Sequence, residues 1–405
     1  MVINQLLDPY RHFGRLRALG RVVRIHTAFA GEAWIVTRHR DVQALAVDPR
    51  LSVDHRRHAG PALRRRLDAF RFQWTDGLPP HVGTVDPPDH SRLRRLISQE
   101  FTPGRVEALA PRIEDLVNGF LDAAGDGPFD LIADLAEPLP ALAVATLLGM
   151  NDEDALSLRP LLRELTRLPV DDAAIHRVEQ ARQELVRYVG SRVLEKHRTP
   201  DDGLLGALAR AREDDRLSAA ELTSMAAMLF AAGAETTTHV IGSGILLLLR
   251  HPDQRDMLVR NPHLVPAAVE EFLRYESPVT LGLIRYAADD IEIGGTIIPR
   301  GDLVFLGVAT ANHDDERFPE PTKFDVERTE NAHVTFGHGI HYCLGAPLAR
   351  LELRITVSVL LERFPGIRLG CPVADVPWQD SALRGPAALP LLLGPDRGRR
   401  SDARR

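Results

Sequence analysis

The 405-residue chain is expected to fold as a mainly α domain with a small β region, built around one long central helix. Three observations predict this. Helical hydrophobic periodicity recurs over 105–124, 139–149, 174–197, 203–213, 218–250, 264–275 and 345–364. Strand-like segments fall in only two clusters, 22–26 with 33–37, and 283–287 with 292–293, 296–299 and 304–308. The longest apolar stretch, 225–249, carries Glu235, Thr236, Thr237, Thr238 and His239 at its centre. A helix buried through the middle of a large domain fits that pattern better than a membrane span.

Local signals justify the elements in order. Residues 86–95, with Pro87-Pro88 after Asp86, read as a proline-started helix entry, with His90 and Arg94 one turn apart on one face. Thr102-Pro103 sets proline in the first turn of the next helix. Ser218 with Glu221 three residues on forms a capping box for the central helix. Gly294-Gly295 between two strand-like runs reads as a two-residue hairpin turn.

Composition bounds the function. Hydrophobic content of 44% and charged content of 26% are those of a soluble globular protein. A formal net charge of −6 gives no global reason to bind nucleic acid. Two cysteines, Cys343 and Cys371, exclude a disulfide framework and suit a reducing cytosol. The first residues show no secretory pattern and are too mixed to cross a bilayer. With no repeat or low-complexity linker, residues 1–405 are expected to form a single domain, and 395–405 a frayed, solvated tail.

Three constellations carry chemistry. The first runs from Phe336 to Gly345 and places Cys343 in a glycine-rich loop directly before a helix. Backbone N–H groups and the helix dipole favour a thiolate there. Gly337, Gly339 and Gly345 let the backbone approach a flat ligand closely. Such a thiolate can hold an axial position of a haem iron. The second is Ala232-Gly233-Ala234-Glu235-Thr236-Thr237, poorly optimised for helicity in the middle of a helix. Helical spacing puts Met228, Ala231, Ala232, Glu235 and Thr236 on one face. That face reads either as a groove with an acid–alcohol pair for proton delivery or as a polar break between two shorter helices. The third is Glu271 with Arg274, an i,i+3 pair on an otherwise apolar helix.

Phe336, Gly339, Cys343 and Gly345 match every fixed position of Phe-x-x-Gly-x-x-x-Cys-x-Gly, and the segment resembles the haem-binding loop of the cytochrome P450 superfamily. The resemblance extends over about residues 30–392 and covers the other motifs in the family's order. It implies a P450-like haem domain, of the soluble bacterial type that tailors natural products such as polyketides and macrolides. It implies haem b held by Cys343 as axial ligand, with Phe336, Gly337, Gly345, Ala349 and Ala232 around it. His90, Arg94, Arg285 and His341 occupy the positions that contact the haem propionates. Glu235 and Thr236 occupy the oxygen-activating acid and threonine positions. Glu271, Arg274 and Arg328 resemble the buried charge network that scaffolds the Cys loop. Arg92 and Arg95 are expected to be solvated.

The implied reaction inserts one atom of dioxygen into a C–H or C=C bond of a bulky, largely apolar molecule. Strand alternation sets Val279, Leu281 and Leu283 on the face of Arg285, and these join Met228, Ala231 and Leu383 as the expected pocket. Residues 60–84, with Phe70, Phe72 and Trp74, are expected to form a lid over the pocket. No flavin or nicotinamide fingerprint is present, so the resemblance implies electrons from NAD(P)H through a separate ferredoxin reductase and ferredoxin. Arg350 and Arg354 are candidates for the ferredoxin-docking face. A cytoplasmic monomer without membrane or nucleic-acid partners is expected. Two competing readings stand beside this one. One is a haem-thiolate peroxygenase or a non-oxygenating relative. The other is a zinc-stabilised binding protein using His333, His338, His341 and Cys343.

Overall fold

The computed structural model describes residues 9–27, 29–70, 79–99, 101–125, 127–167, 171–199, 203–206 and 217–398. Helices dominate, and the longest is the central helix Ala219–Arg250. Its start is the expected capping box: Glu221 N–H donates to Ser218 Oγ at 3.1 Å, and Ser218 N–H donates to Glu221 Oε2 at 2.9 Å. The helix is continuous, so the polar break between two shorter helices does not occur. Thr236, Thr237 and Thr238 each donate a hydroxyl to the carbonyl four residues earlier, which satisfies them inside an apolar helix.

Helices Pro138–Leu148, Asp152–Leu165, Asp172–Arg198, Val265–Tyr275 and Ala346–Arg363 pack around the central helix or against its neighbours. One large apolar cluster runs through them, including Leu142, Phe230, Ile241, Phe272 and Leu360, each at most 3% exposed. Among the described residues no helix is long and apolar enough to cross a membrane. The periodicity of 105–124 is split in two, Pro103–Glu107 and Ala110–Ala124. Thr102 caps the first and Pro103 opens it. The 203–213 helix lies mostly outside the described residues, as do Phe72 and Trp74 of the expected lid. Helices missed by periodicity include Tyr10–Leu19, His39–Ala46 and Pro252–Arg260, which are short and rich in arginine and histidine or acids.

Both expected strand clusters form, and short strands at residues 51–52, 129–130, 368–369 and 390–392 lie outside them. Strands β1 (Val22–Thr27), β2 (Gly31–Val36), β3 (Leu51–Ser52), β4 (Phe129–Asp130), β5 (Leu283–Ala287), β6 (Ile291–Ile293), β7 (Thr296–Ile298), β8 (Leu303–Leu306), β9 (Arg368–Leu369) and β10 (Pro390–Leu392) form three sheets. The largest has the order β1-β2-β8-β5-β3, with β2 and β8 parallel. Gly294 and Gly295, at φ +57° and +79°, make the β6–β7 hairpin.

Two expectations about the chain's ends and surface change. Asp396 accepts from Arg363 Nη2 at 2.5 Å and Arg397 N–H donates to Arg363 O at 2.9 Å, so the segment after Gly394 is anchored through Arg397. Residues 399–405 lie outside the described residues. Arg92 is not merely solvated, because Nη2 donates to Glu221 Oε1 at 2.5 Å and ties the Asp89–Ser98 helix to the start of the central helix.

Candidate active site

The Cys loop is shaped by two left-handed glycines. Gly337 and Gly339 sit at φ +76° and +75°, a region that side chains rarely adopt. A Cβ on Gly339 would also lie 2.6 Å from Val47 Cγ1. Gly345 is different. Its φ is −80°, and a Cβ there would meet Cys343 Sγ at 4.0 Å. Cys343 N–H donates to Phe336 O at 2.8 Å, closing the loop on itself. Gly345 then caps the helix Ala346–Arg363.

Cys343 is exposed only in the sense that it lines a cavity of about 360 Å³. Burial pushes its thiol pKa up, while the N–H groups of Gly345 and Ala346 and the cations Arg94 and Arg350 pull it down. A thiolate here therefore needs further positive charge, which a bound metal ion supplies as it displaces the proton.

The same cavity gathers most of the expected site residues. The loop contributes Phe336, His341, Cys343 and Gly345, and the helix after it contributes Ala349. The central helix contributes Met228, Ala232 and Thr236. Val279 and Leu283 enter from the segment leading into β5.

One edge of the cavity is cationic and poor in acceptors. His90, Arg94, Arg285 and His341 all line it. The His90 and His341 rings lie 4.4 Å apart, and Nε2 of each is buried without a protein partner among the described residues. Burial first, then Arg285, His90 and Arg94, push His341 down to about 3. Burial and Arg94 lower His90. Burial brings Arg285 down to about 10, so it stays charged at neutral pH. Arg94 Nη2 donates to Tyr342 O at 2.8 Å, which joins the Asp89–Ser98 helix to the Cys loop. Two arginines and two unpartnered ring nitrogens fit a ligand that brings carboxylates. The buried thiol fits a ligand that brings a metal cation. Haem carries both.

Several predicted site residues lie elsewhere. Glu235 and Ala231 do not line the cavity. The cavity-facing stripe of the central helix carries the pairs Ala232 with Gly233 and Thr236 with Thr237, and Glu235, about 100° to the other side of Thr236, falls outside it. The Glu235 carboxylate instead lies 3.5 Å from Thr166 Oγ1, and burial with Glu137 nearby pushes it up to about 7. Ala231 is buried in the core. Leu281 packs against the cluster containing Tyr286 and Phe305. Its expected alternation with Leu283 fails because β5 begins only at Leu283, after Gly282 at φ +125°. Leu383 and Gly337 also lie off the cavity wall. Val82 and Gly83 enter from the expected 60–84 lid, whereas sequence reasoning missed Val144, Leu229 and Val240, which add apolar wall. It also missed Glu352, which lines the cavity at 1% exposure with both carboxylate oxygens unpartnered among the described residues. Its one signal was an acid at i+4 from Leu348, on the buried face of the helix.

The charge network beneath the loop is fully formed. Glu271 and Arg274 are completely buried and joined by two hydrogen bonds of 2.7 Å. Arg328 reaches Glu271 at 3.2 Å, and Asn331 Nδ2 donates to it at 3.0 Å. Arg274 also donates to the carbonyls of Asn312, Pro321 and Lys323, fastening the segment that leads into the Cys loop. The zinc reading fails. His333 is engaged with Glu270 at 3.2 Å, and no three His, Cys, Asp or Glu residues among those described are grouped to hold a metal ion.

A family profile described as Cytochrome P450 matches residues 155–366. Cytochrome P450 107B1 of Saccharopolyspora erythraea is 42% identical over 96% of this chain and 95% of its own length. The 6-deoxyerythronolide B hydroxylase of the same organism is 40% identical over 96% of each chain. Among solved structures, the myxobacterial cytochrome P450 CYP267B1 in complex with myristic acid superposes with a TM-score of 0.89 at 39% identity, covering 95% of this chain and 96% of that one. Fold, motif order and full-length similarity agree, and the chain belongs to the cytochrome P450 family of haem-thiolate monooxygenases.

Proposed function

We propose that the chain, acting as one haem domain over residues 1–405, inserts one oxygen atom from dioxygen into a C–H or C=C bond of a bulky, largely apolar small molecule. The observation that carries this reading is one cavity lined by Cys343 from the Cys loop and by Thr236 from the central helix. When bound, haem supplies the dioxygen chemistry. Cys343 would hold it at the iron, and His90, Arg94, Arg285 and His341 would hold it at the carboxylates.

Thr236 is the proton-handling residue in the cavity. Its hydroxyl donates to Ala232 O at 2.7 Å, which leaves the Oγ1 lone pairs free to accept. Glu235, at about 7, gives and regains a proton near working pH from the adjoining face of the helix. Met228, Leu229, Val144, Val279 and Leu283 exclude water and orient an apolar substrate.

The substrate class is a polyketide, a macrolide or a related natural product. This rests on the apolar wall and on relatives such as the 6-deoxyerythronolide B hydroxylase. Electrons come from NAD(P)H through a separate ferredoxin reductase and ferredoxin, and the protein works as a cytoplasmic monomer. Arg354, 41% exposed and 3.4 Å from Glu107, is the better docking candidate of the two arginines, because Arg350 is already engaged.

The test is the visible spectrum of the purified holoprotein, reduced and exposed to carbon monoxide. A strongly red-shifted Soret band is expected, and Cys343→Ala should lose it. Haem binding without that band in the wild type overturns the Cys343 assignment. A protein that takes up no haem overturns the whole reading.

A further inference from the structure

Glu270 and Glu271 are adjacent on the helix Val265–Tyr275 and serve different partners. Glu271 faces Arg274 and Arg328. Glu270 instead receives Arg350 from the helix that follows the Cys loop, Nε donating to Oε1 at 2.7 Å and Nη2 to Oε2 at 2.8 Å. His333 Nε2 lies 3.2 Å from the same Oε2. This fork leaves Nη1 of Arg350 for the Tyr342 hydroxyl at 3.2 Å. It also sets the guanidinium over the Phe336 ring, 4.6 Å from the centroid. Phe336 and Cys343 are the two ends of the loop, since Cys343 N–H donates to Phe336 O, and Tyr342 directly precedes Cys343. The His333 ring, at 5.8 Å, packs on Phe336 as well.

We infer that Arg350 is a positioning residue that fixes a positive charge against the Cys343 loop and so sets the reduction potential of the site, with Glu270 as the counter-charge that holds it there. The inference rests on Cys343 being the haem ligand. The physics is Coulombic. A fixed cation beside the ligand loop favours the state carrying one more electron and raises the potential, and the Glu270 carboxylate partly offsets it. A planar guanidinium can fork onto the carboxylate and stack on the ring at once, which an ammonium cannot. The pair is only about one-third exposed, so solvent screening is incomplete.

The measurement is the midpoint potential of holoprotein by spectroelectrochemistry, without any redox partner, for Arg350→Gln, Glu270→Gln, the double variant and Arg350→Lys. Each variant is first checked for the carbon monoxide band. Arg350→Gln is expected to lower the ratio of reduced to oxidised protein at a fixed solution potential by about tenfold, or 59 mV for one electron. Glu270→Gln is expected to raise it. The double variant should return close to wild type, and Arg350→Lys should keep most of the wild-type potential. Opposite shifts are the signature of charge, whereas a merely structural clamp would move both single variants the same way. Single variants that keep the band and shift together, or do not shift, overturn the inference while leaving the haem-thiolate reading intact. An unchanged potential with weakened ferredoxin-dependent reduction in Arg350→Gln would also overturn it and make Arg350 a docking residue. A wild-type protein without the band fails the earlier reading instead.

Discussion

Glu235 and Thr236 are adjacent in the chain, yet Thr236 lines the cavity while Glu235 turns away to within 3.5 Å of the Thr166 hydroxyl. The acid and the alcohol therefore meet different surroundings. A proton passing between them must travel through solvent or through side-chain rotation, not across a direct hydrogen bond. Two predictions separate their roles.

Thr236→Ala should leave oxygen consumption running but divert it to hydrogen peroxide. The hydroxyl that would accept and pass a proton at Oγ1 is gone, while the apolar wall is intact. Thr236→Ser should restore coupling. The ratio of peroxide formed to oxygen consumed is the readout, and unchanged coupling in the alanine variant would remove Thr236 from the mechanism.

Glu235 makes the prediction about pH. Burial, then Glu137, raise its carboxyl to about 7, against an unperturbed value of about 4.3. Product formation should show a limb near pH 7 that Glu235→Gln abolishes. The stability consequence has a definite sign. A carboxyl raised in the folded state contributes stability that is fully present below its unfolded value and is lost as pH rises through about 7. Glu235→Gln should therefore gain thermal stability relative to wild type at pH 8 but not at pH 4. Parallel melting curves for the two proteins across that range would contradict the buried, raised carboxyl.

Glu271→Ala should abolish haem loading. The residue is fully buried and accepts from Arg274, Arg328, Asn331 and the Asp325 backbone N–H, so its loss strands two arginines. Breaking a buried pair in this way costs about 3–5 kcal/mol. Haem content per chain, with Glu271→Gln as the milder comparison, reads the effect. A normally loaded alanine variant would remove the network from the assembly of the Cys loop.

Much of this site was legible in the sequence because its signals are local. Ser218 with Glu221, Thr102-Pro103 and Gly294-Gly295 each act within a few residues, and each forms as read. Direction over longer distances was harder. Glu235 was placed one residue's rotation away from its true face, and Leu281 was assigned a strand phase although the strand starts at Leu283. Arg350 reads from the sequence as a candidate for a docking face, since nothing in its own helix announces Glu270, 80 positions earlier. Short helices such as His39–Ala46 escaped because eight residues carry a single apolar turn, Val42 with Leu45 and Ala46, too little to stand out as a repeating pattern.

Glu352 follows from the same limit. It sits one turn after Leu348 and one before Thr356, all buried on the helix behind the Cys loop. Both its oxygens lack partners among the described residues, and burial raises its carboxyl well above the ordinary value. An ionised carboxylate without a partner at such a site would be far too costly, so the group is neutral. Glu352→Gln should keep both fold and haem content, because one neutral polar group replaces another of similar shape. Glu352→Asp should be worse, since it draws the carboxyl out of the cavity wall and leaves a gap. Difference infrared spectroscopy of the wild type against Glu352→Gln should show a protonated carboxyl stretch at pH 7 that the variant lacks. A carboxylate band in its place would mean that Glu352 is charged and that a cation or water-linked partner faces it in the folded protein.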